Sequence, residues 1–496
     1  MTAVLTIDEI VGIDFGTTYS GVAFAYSGDP NTISLIRHWP GSNQQTSVKN
    51  ASLMIFEEDG TISAWGAQAE KKTLKSNQTI ARWFKLLLDD THSNYLGTAS
   101  RHASKPPRKT AAEVVTDYLT LIHDHLISHL KSTYGCMLFN CTPIEYYITV
   151  PAIWSDKAQA VTKSVAVNAG FKGKLEIVRE PEAAAIACAH IEHVDLKEGN
   201  RFLVCDAGGG TVDLISYQVT NALPLQIKEI TVGTGGLCGA TYLEHEFEKL
   251  LRKRLSKFGD KFLNERGLSS LFREFNDYLK VNFGEDDDED EFNITLCGCD
   301  IDEDEEAGIS VGCLIFSRAE MVSVFDPVIN KVIDLIENQI AKSNRTIEII
   351  FLVGGFGSNG YLRSRIQGMY PDISVQQPSD AWSAVVRGAV IHGLCEKIVT
   401  TRKVRQSYGV SCNCHWDPES HDKDQHYVCK VTGDEKASGC MSWYVTQGDE
   451  VQHAESIKLP FIHNARSKKR TSYEYDLLCS VAETPPKRSS HRMMFL

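Results

Sequence analysis

The chain has 496 residues, 42% hydrophobic and 23% charged, a balance that predicts a globular protein with more than one core. A formal net charge of -13 argues against a nucleic-acid partner, which selects a basic face. No apolar run approaches the ~18 residues of a membrane span, so no membrane partner is expected.

The first predicted element is an apolar strand, Ile10 to Ile13, reaching Asp14 and then a turn of Gly16, Thr17 and Thr18, with a returning strand at Val22–Tyr26. Val115, Leu119, Ile122 and Leu126 recur at helical spacing, which predicts an amphipathic helix over Ala112–Leu130. Tyr146–Val150 reads as a strand stopped by Pro151, and Pro181 opens a helix-forming run through Ala187. The opening pattern then returns: Phe202 to Cys205 leads to Asp206, to Gly208, Gly209, Gly210 and Thr211, and to a strand at Val212–Tyr217. The segment 285–306 carries two acidic runs and is expected to be a solvated insertion. Val324, Val328 and Val332 mark another helix before a strand at Thr346–Val353. Beyond about residue 400 helical patterns stop, and Tyr408–Ser411 and Met441–Val445 read as strands. Mixed helices and strands around two repeated hairpins predict an α/β fold of two related lobes facing one cleft.

The hairpin tips carry the chemistry. Glycines let backbone N–H groups approach a polyphosphate, and the threonines add hydroxyls. Asp14 and Asp206, each just before its turn, are placed to hold Mg²⁺ through its waters, since that ion prefers oxygen ligands and keeps part of its hydration shell. One such tip alone would be read as a plain tight turn; two with matching aspartates favour a phosphate cleft. A third glycine pair, Gly354 and Gly355, follows an apolar strand and would admit a nucleoside to the backbone. Fourteen scattered cysteines and a start (Met1–Ile10) without a secretory pattern predict reduced thiols and a cytoplasmic chain, with nuclear access left open. Cys412, Cys414, His415, Cys429 and Cys440 invite a zinc reading, but they lack paired C-x₂-C spacing and the bland reading is preferred. The basic run Ser467–Arg470 reads as a solvated loop before it reads as a nuclear address.

Together these stretches resemble the seventy-kilodalton heat-shock (DnaK-type) chaperones of the actin-like ATPase superfamily. Val11–Ser20 resembles the first phosphate loop and Asp206–Asp213 the second; Tyr147–Ala152 and Arg179–Ala187 resemble the connecting motifs, and Leu352–Gly355 the adenosine motif. The resemblance runs to about residue 400. It implies an α/β actin-like ATPase fold, with two lobes of duplicated ribonuclease-H-like topology around a nucleotide cleft. The implied boundaries are lobe I at 1–198, lobe II at 199–380, a return to lobe I at 381–404 and a reduced β-rich region at 405–496.

It also implies roles. Asp14, Lys85, Glu180 and Asp206 would be catalytic, with Asp14, Asp206 and Glu180 ordering magnesium through water. Gly16, Thr17, Thr18, Tyr19, Gly208, Gly209, Gly210, Thr211, Lys280, Gly354 and Gly355 would bind ATP or ADP. The implied partners are nucleotide, extended polypeptide clients and co-chaperones. Three departures stand out. Val281 and Ser358 occupy the positions of two adenine-stacking arginines, and Gln159 that of a relay arginine after Pro151. The third is the C-terminal region, which resembles only the start of a peptide-binding β-sandwich and has no lid. The expected activity is slow Mg-dependent ATP hydrolysis with opening and closing of the cleft. The alternative is a nucleotide sensor or scaffold that scarcely turns over. A small-molecule kinase is a third reading, for which the sequence offers no distinctive motif.

Overall fold

The computed structural model describes residues 8–42, 46–89, 104–191, 196–284, 290–296, 303–395, 398–452, 457–458, 476–489 and 494–495. The basic run at 467–470 and the acidic residues 285–289 lie outside these.

Two sheets repeat one plan. In the first, β1 (Glu9–Asp14) pairs antiparallel with β2 (Tyr19–Tyr26), and β2 with the short β3 (Ser34–Leu35). On its other side β1 pairs parallel with β4 (Ile144–Val150), which pairs parallel with β5 (Lys174–Arg179). In the second, β6 (Arg201–Ala207) pairs antiparallel with β7 (Val212–Ala222), and β7 with β8 (Leu225–Glu229). β6 pairs parallel with β9 (Ile349–Val353), and β9 with β10 (Ser374–Gln376). The orders β3-β2-β1-β4-β5 and β8-β7-β6-β9-β10 are therefore equivalent strand for strand. That duplication places Asp14 and Asp206 at matching ends of matching strands.

Local chemistry sets the helices. Helix α1 (Ala111–Tyr134) begins with a reciprocal cap: the Thr110 hydroxyl accepts from Glu113 N–H, and the Glu113 carboxylate accepts from Thr110 N–H. Its buried stripe contains Val115, Leu119, Ile122 and Leu126, as their spacing predicts. Helix α2 spans Asp156–Asn168, α3 Glu180–Ile191, α4 Thr241–Arg254 and α5 Arg318–Lys342. Helix α6 (Ala384–Leu394) lies with α3 in a core built from both sheets, including Ile10, Tyr147, Val204 and Phe351. The two helices meet closely because their facing residues are small. A Cβ on Gly388 would stand 1.7 Å from the Ala183 carbonyl oxygen, so only glycine fits.

Part of the acidic segment is built into the fold. Residues Glu291–Thr295 form a strand against Cys313–Ser317, with Phe292 and Ile294 buried. Their alternation with polar residues is a strand pattern that the surrounding charge had masked. Asp304, in the second acidic run, is held 2.7 Å from Lys257.

Past α6, strand β11 (Val399–Lys403) runs parallel to β8 and extends the second sheet. The C-terminal region contributes β12 (Ser407–His415), β13 (His426–Val428), β14 (Glu435–Val445), β15 (Glu450–Gln452) and β16 (Leu477–Ser480). β13, β14, β12, β16 and the short strand Met494–Phe495 form a separate antiparallel sheet in that order, whereas β15 returns to pair with β11. The two strands expected at 408–411 and 441–445 lie within β12 and β14.

Candidate functional site

The β1–β2 and β6–β7 turns touch. A Cβ added to Gly209 would lie 2.2 Å from the Thr18 hydroxyl oxygen, and one on Gly210 would lie 2.8 Å from that of Thr17. Side chains at 209 and 210 would wedge the tips apart. The second turn is fixed by Gly208 N–H donating to the Thr211 carbonyl at 2.9 Å, and its outer carbonyls receive the first N–H groups around α4. Gly354, at the end of β9, has φ +84°, and a Cβ there would meet Asp206 Oδ1 at 2.6 Å. The third glycine element thus abuts the second.

Four carboxylates share this junction. Asp14, Glu180, Asp206 and Asp213 are all buried, and both Asp206 and Glu180 lie within electrostatic range of Asp14 and Asp213 and of each other. Two ammonium groups accompany them. Lys85 Nζ is 2.6 Å from Glu180 Oε1, and Lys49 Nζ is 2.6 Å from Asp14 Oδ2. Lys85 is almost wholly buried on a short turn (Phe84–Leu88), with its ammonium 5.4 Å from the ring centroids of both Phe15 and Trp154. Asp14 also accepts from the Thr149 hydroxyl at 3.3 Å, and Asp213 accepts from Ile153 N–H at 3.1 Å.

Burial pushes the Glu180 carboxyl up to about 7, against the pull of Lys85, and holds Asp206 and Asp213 above the usual carboxylate range. The four carboxylates outnumber the two ammonium groups paired with them. Asp213 Oδ2 is buried with no protein hydrogen-bond partner. An oxygen-rich site short of positive charge, with an orphaned carboxylate oxygen, fits hydrated Mg²⁺.

The nucleoside side is less complete. Lys280 Nζ is 3.3 Å from Glu244 Oε1, while Glu244 and Asp277 lie within electrostatic range of Tyr19. Tyr19 donates to Glu70 at 2.8 Å and meets the Trp382 ring edge-on at 5.8 Å. The Trp382 indole also borders Gly355, where a Cβ would be 3.6 Å from Nε1. Val281 and Ser358 are both exposed.

The predicted residues therefore converge from both halves, and the structure adds three. Asp213 could have been found from the hairpin register, which sets it directly across from Asp206. Trp382 is brought in by Gly354 N–H donating to the Ala381 carbonyl at 3.1 Å, a contact with no sequence signature. Lys49 lies in a stretch without a glycine or aspartate motif, and only the pairing of Asn50–Ala51 with β2 delivers it to Asp14. Gln159 donates to the Trp154 carbonyl at 3.1 Å, a local contact near the turn after β4.

Two equivalent sheets closing on facing glycine turns define the actin-like ATPase fold, with a nucleotide-type cleft at their junction. The family described as Hsp70 protein matches residues 10–396, and the chain belongs to that family. It is similar to heat shock 70 kDa protein 12A of Homo sapiens, with 26% identity over 81% of this chain and 71% of the relative. Heat shock 70 kDa protein 12B of Homo sapiens is 24% identical over 84% of this chain and 73% of its own. Chaperone protein DnaK of Thermoplasma volcanium is 24% identical over 78% of this chain and 58% of its own. As a divergent member of the family, the chain carries its nucleotide-binding, chaperone-type domain.

Proposed function

We propose that this protein binds ATP and ADP with magnesium in the cleft and hydrolyses ATP slowly. The convergence of four buried carboxylates and two lysines on abutting glycine turns carries this reading. Bound Mg²⁺ would neutralise phosphate charge and help orient water, with Asp14, Asp206 and Glu180 as its carboxylates and Asp213 as a further oxygen donor. The backbone N–H groups of both turns would cradle the phosphates, and Lys85 would swing from Glu180 toward the terminal phosphate. Glu180, released by Lys85, would orient the attacking water and accept its proton. Opening and closing of the cleft would accompany exchange. Extended polypeptides and co-chaperones are the partners proposed for the C-terminal sheet, and the cytoplasm the proposed compartment.

The test is single-turnover hydrolysis beside direct ATP binding. Asp206→Asn and Glu180→Gln should each slow the step by about 10²-fold while preserving binding and fold. Wild-type rates in both variants would sink the assignment. A second reading, a sensor that binds without turnover, is favoured by Val281 and Ser358 standing where the family stacks adenine on arginine. Tight Mg-dependent binding with no hydrolysis in the wild type would select it.

A further inference from the structure

The C-terminal sheet brings together a second group of reactive side chains, away from the cleft. Cys412 on β12 faces Cys440 on β14, and the next register pair is Cys414 with Ala437. The irregularity between them leaves Ser438 and Gly439 of β14 opposite Asn413, with Gly439 at φ +68°. This bulge turns Cys440 diagonally toward Cys414. Their sulfurs are 2.6 Å apart, near the ~2.05 Å of a disulfide bond. His421 Nε2 lies 3.3 Å from Cys414 Sγ, making a three-residue cluster of Cys414, His421 and Cys440.

Zinc is the obvious occupant, and two observations argue against it. Two thiolates on a tetrahedral zinc, each about 2.3 Å from the ion, stand roughly 3.7 Å apart, well beyond the spacing here. His421 Nδ1 also accepts from Asp417 N–H at 3.0 Å. A neutral imidazole has one unprotonated nitrogen, so its Nε2 must carry the proton and donate to Cys414 rather than ligate a metal. The turn fixes that tautomer: Ser420 Oγ donates to Asp417 at 2.6 Å, and the Trp416 ring stacks on His421.

We propose that Cys414 and Cys440 form a redox-active dithiol that closes to a disulfide between β12 and β14. The co-reactant is a low-molecular-weight disulfide such as glutathione disulfide. The Cys414 thiol gives its proton to solvent, and the resulting thiolate, stabilised by the His421 N–H, attacks one sulfur of glutathione disulfide and releases one glutathione thiolate. Cys440 then loses its proton and attacks the Cys414 sulfur of the mixed disulfide, releasing the second glutathione. Two protein thiols are oxidised and one glutathione disulfide is reduced to two glutathione molecules, so electrons and protons balance. Burial and the neighbouring Cys440 push the Cys414 thiol up to about 12, so the reduced pair keeps its protons at neutral pH and exchange is slow. Cys429, whose thiol is lowered to about 7 by hydrogen bonds from Thr432, is the competing site, in the turn just past β13.

The experiment equilibrates the full chain in defined glutathione/glutathione disulfide mixtures, blocks free thiols by alkylation and maps peptides by mass spectrometry. The expected product is a Cys414–Cys440 cross-linked peptide with two fewer alkylated thiols. It should be abolished by Cys414→Ser or Cys440→Ser, kept in Cys412→Ser and formed more slowly in His421→Asn. A Cys412–Cys440 cross-link, glutathione on Cys429 alone, or no thiol loss in the most oxidising mixture would overturn the proposal. So would one equivalent of zinc retained by the purified wild type with both thiols protected.

Discussion

Lys49 changes what can be expected of the cleft. Its ammonium already sits on Asp14, so one of the carboxylates available to magnesium is neutralised before any ligand arrives. Removing the charge by Lys49→Met should leave a buried carboxylate unpaired and lower the melting temperature of the nucleotide-free protein by several degrees. Added MgADP should restore more stability to this variant than to the wild type, which a thermal-shift titration with and without Mg²⁺ will measure. Equal shifts in both proteins would place Lys49 outside the ion's field. At the other end of the cleft, Trp382 is the aromatic surface nearest the third glycine pair. Trp382→Ala should weaken nucleotide binding by ~5- to 160-fold if the base stacks there, since one base–aromatic contact is worth roughly 1–3 kcal/mol. Calorimetry that shows unchanged affinity would leave the base without an aromatic partner.

Among the elements, β1 carries an independent liability at its start. Glu9 is 2% exposed, accepts from the Tyr134 hydroxyl at 3.2 Å and has its carboxyl pushed up to about 7 by burial. Between about pH 4.5 and 7 the folded chain therefore holds a proton that the unfolded chain has released, and stability falls as pH rises through that window. Glu9→Gln keeps the acceptor and removes the charge. It should be more stable than wild type by about 1–3 kcal/mol at pH 8 and nearly equal to it at pH 4.5. Urea unfolding at the two pH values checks this, and an equal difference at both would show that charge burial is not the cause. The same strand shows what sequence could supply. The hairpins at Asp14 and Asp206 announce themselves because an apolar run, an acidic tip and glycines follow in order, each with a local physical meaning. Helix α1 is equally plain from its spacing. By contrast, Lys49 and Trp382 reach the cleft through pairing and packing between distant segments, which leave no local pattern. Cys414, His421 and Cys440 meet through a bulge and a turn, whereas reading by spacing put His415 in the cluster; His415 is exposed and turns to the Trp416 carbonyl.

At the scale of the whole molecule, the C-terminal region is wired into the cleft by Arg405. Its guanidinium donates to the Ala152 carbonyl at 3.1 Å and lies 3.8 Å from buried Glu229. The next residue along that turn, Ile153, holds Asp213. Tyr408 donates to Asp156 at the start of α2, so β12 is fastened to the same corner. Arg405→Lys keeps a charge for Glu229 but gives up the planar guanidinium that donates to the Ala152 carbonyl while facing Glu229. In this variant, MgATP should no longer alter hydrogen exchange in β12, whereas the wild type should show a change. A preserved response would route the signal elsewhere.

The position of β11 has a mechanical meaning. The stretch leading from α6 to the C-terminal sheet is an interior strand, with β8 on one side and β15 on the other, and its backbone is laced along both edges. It is a seam rather than a hinge. A partial swing of the C-terminal sheet would leave buried N–H and C=O groups stranded, so intermediate postures are penalised. Release should come by unzipping β15 and β11 together, as an all-or-none event. Until then proteases should find no purchase between residues 399 and 403.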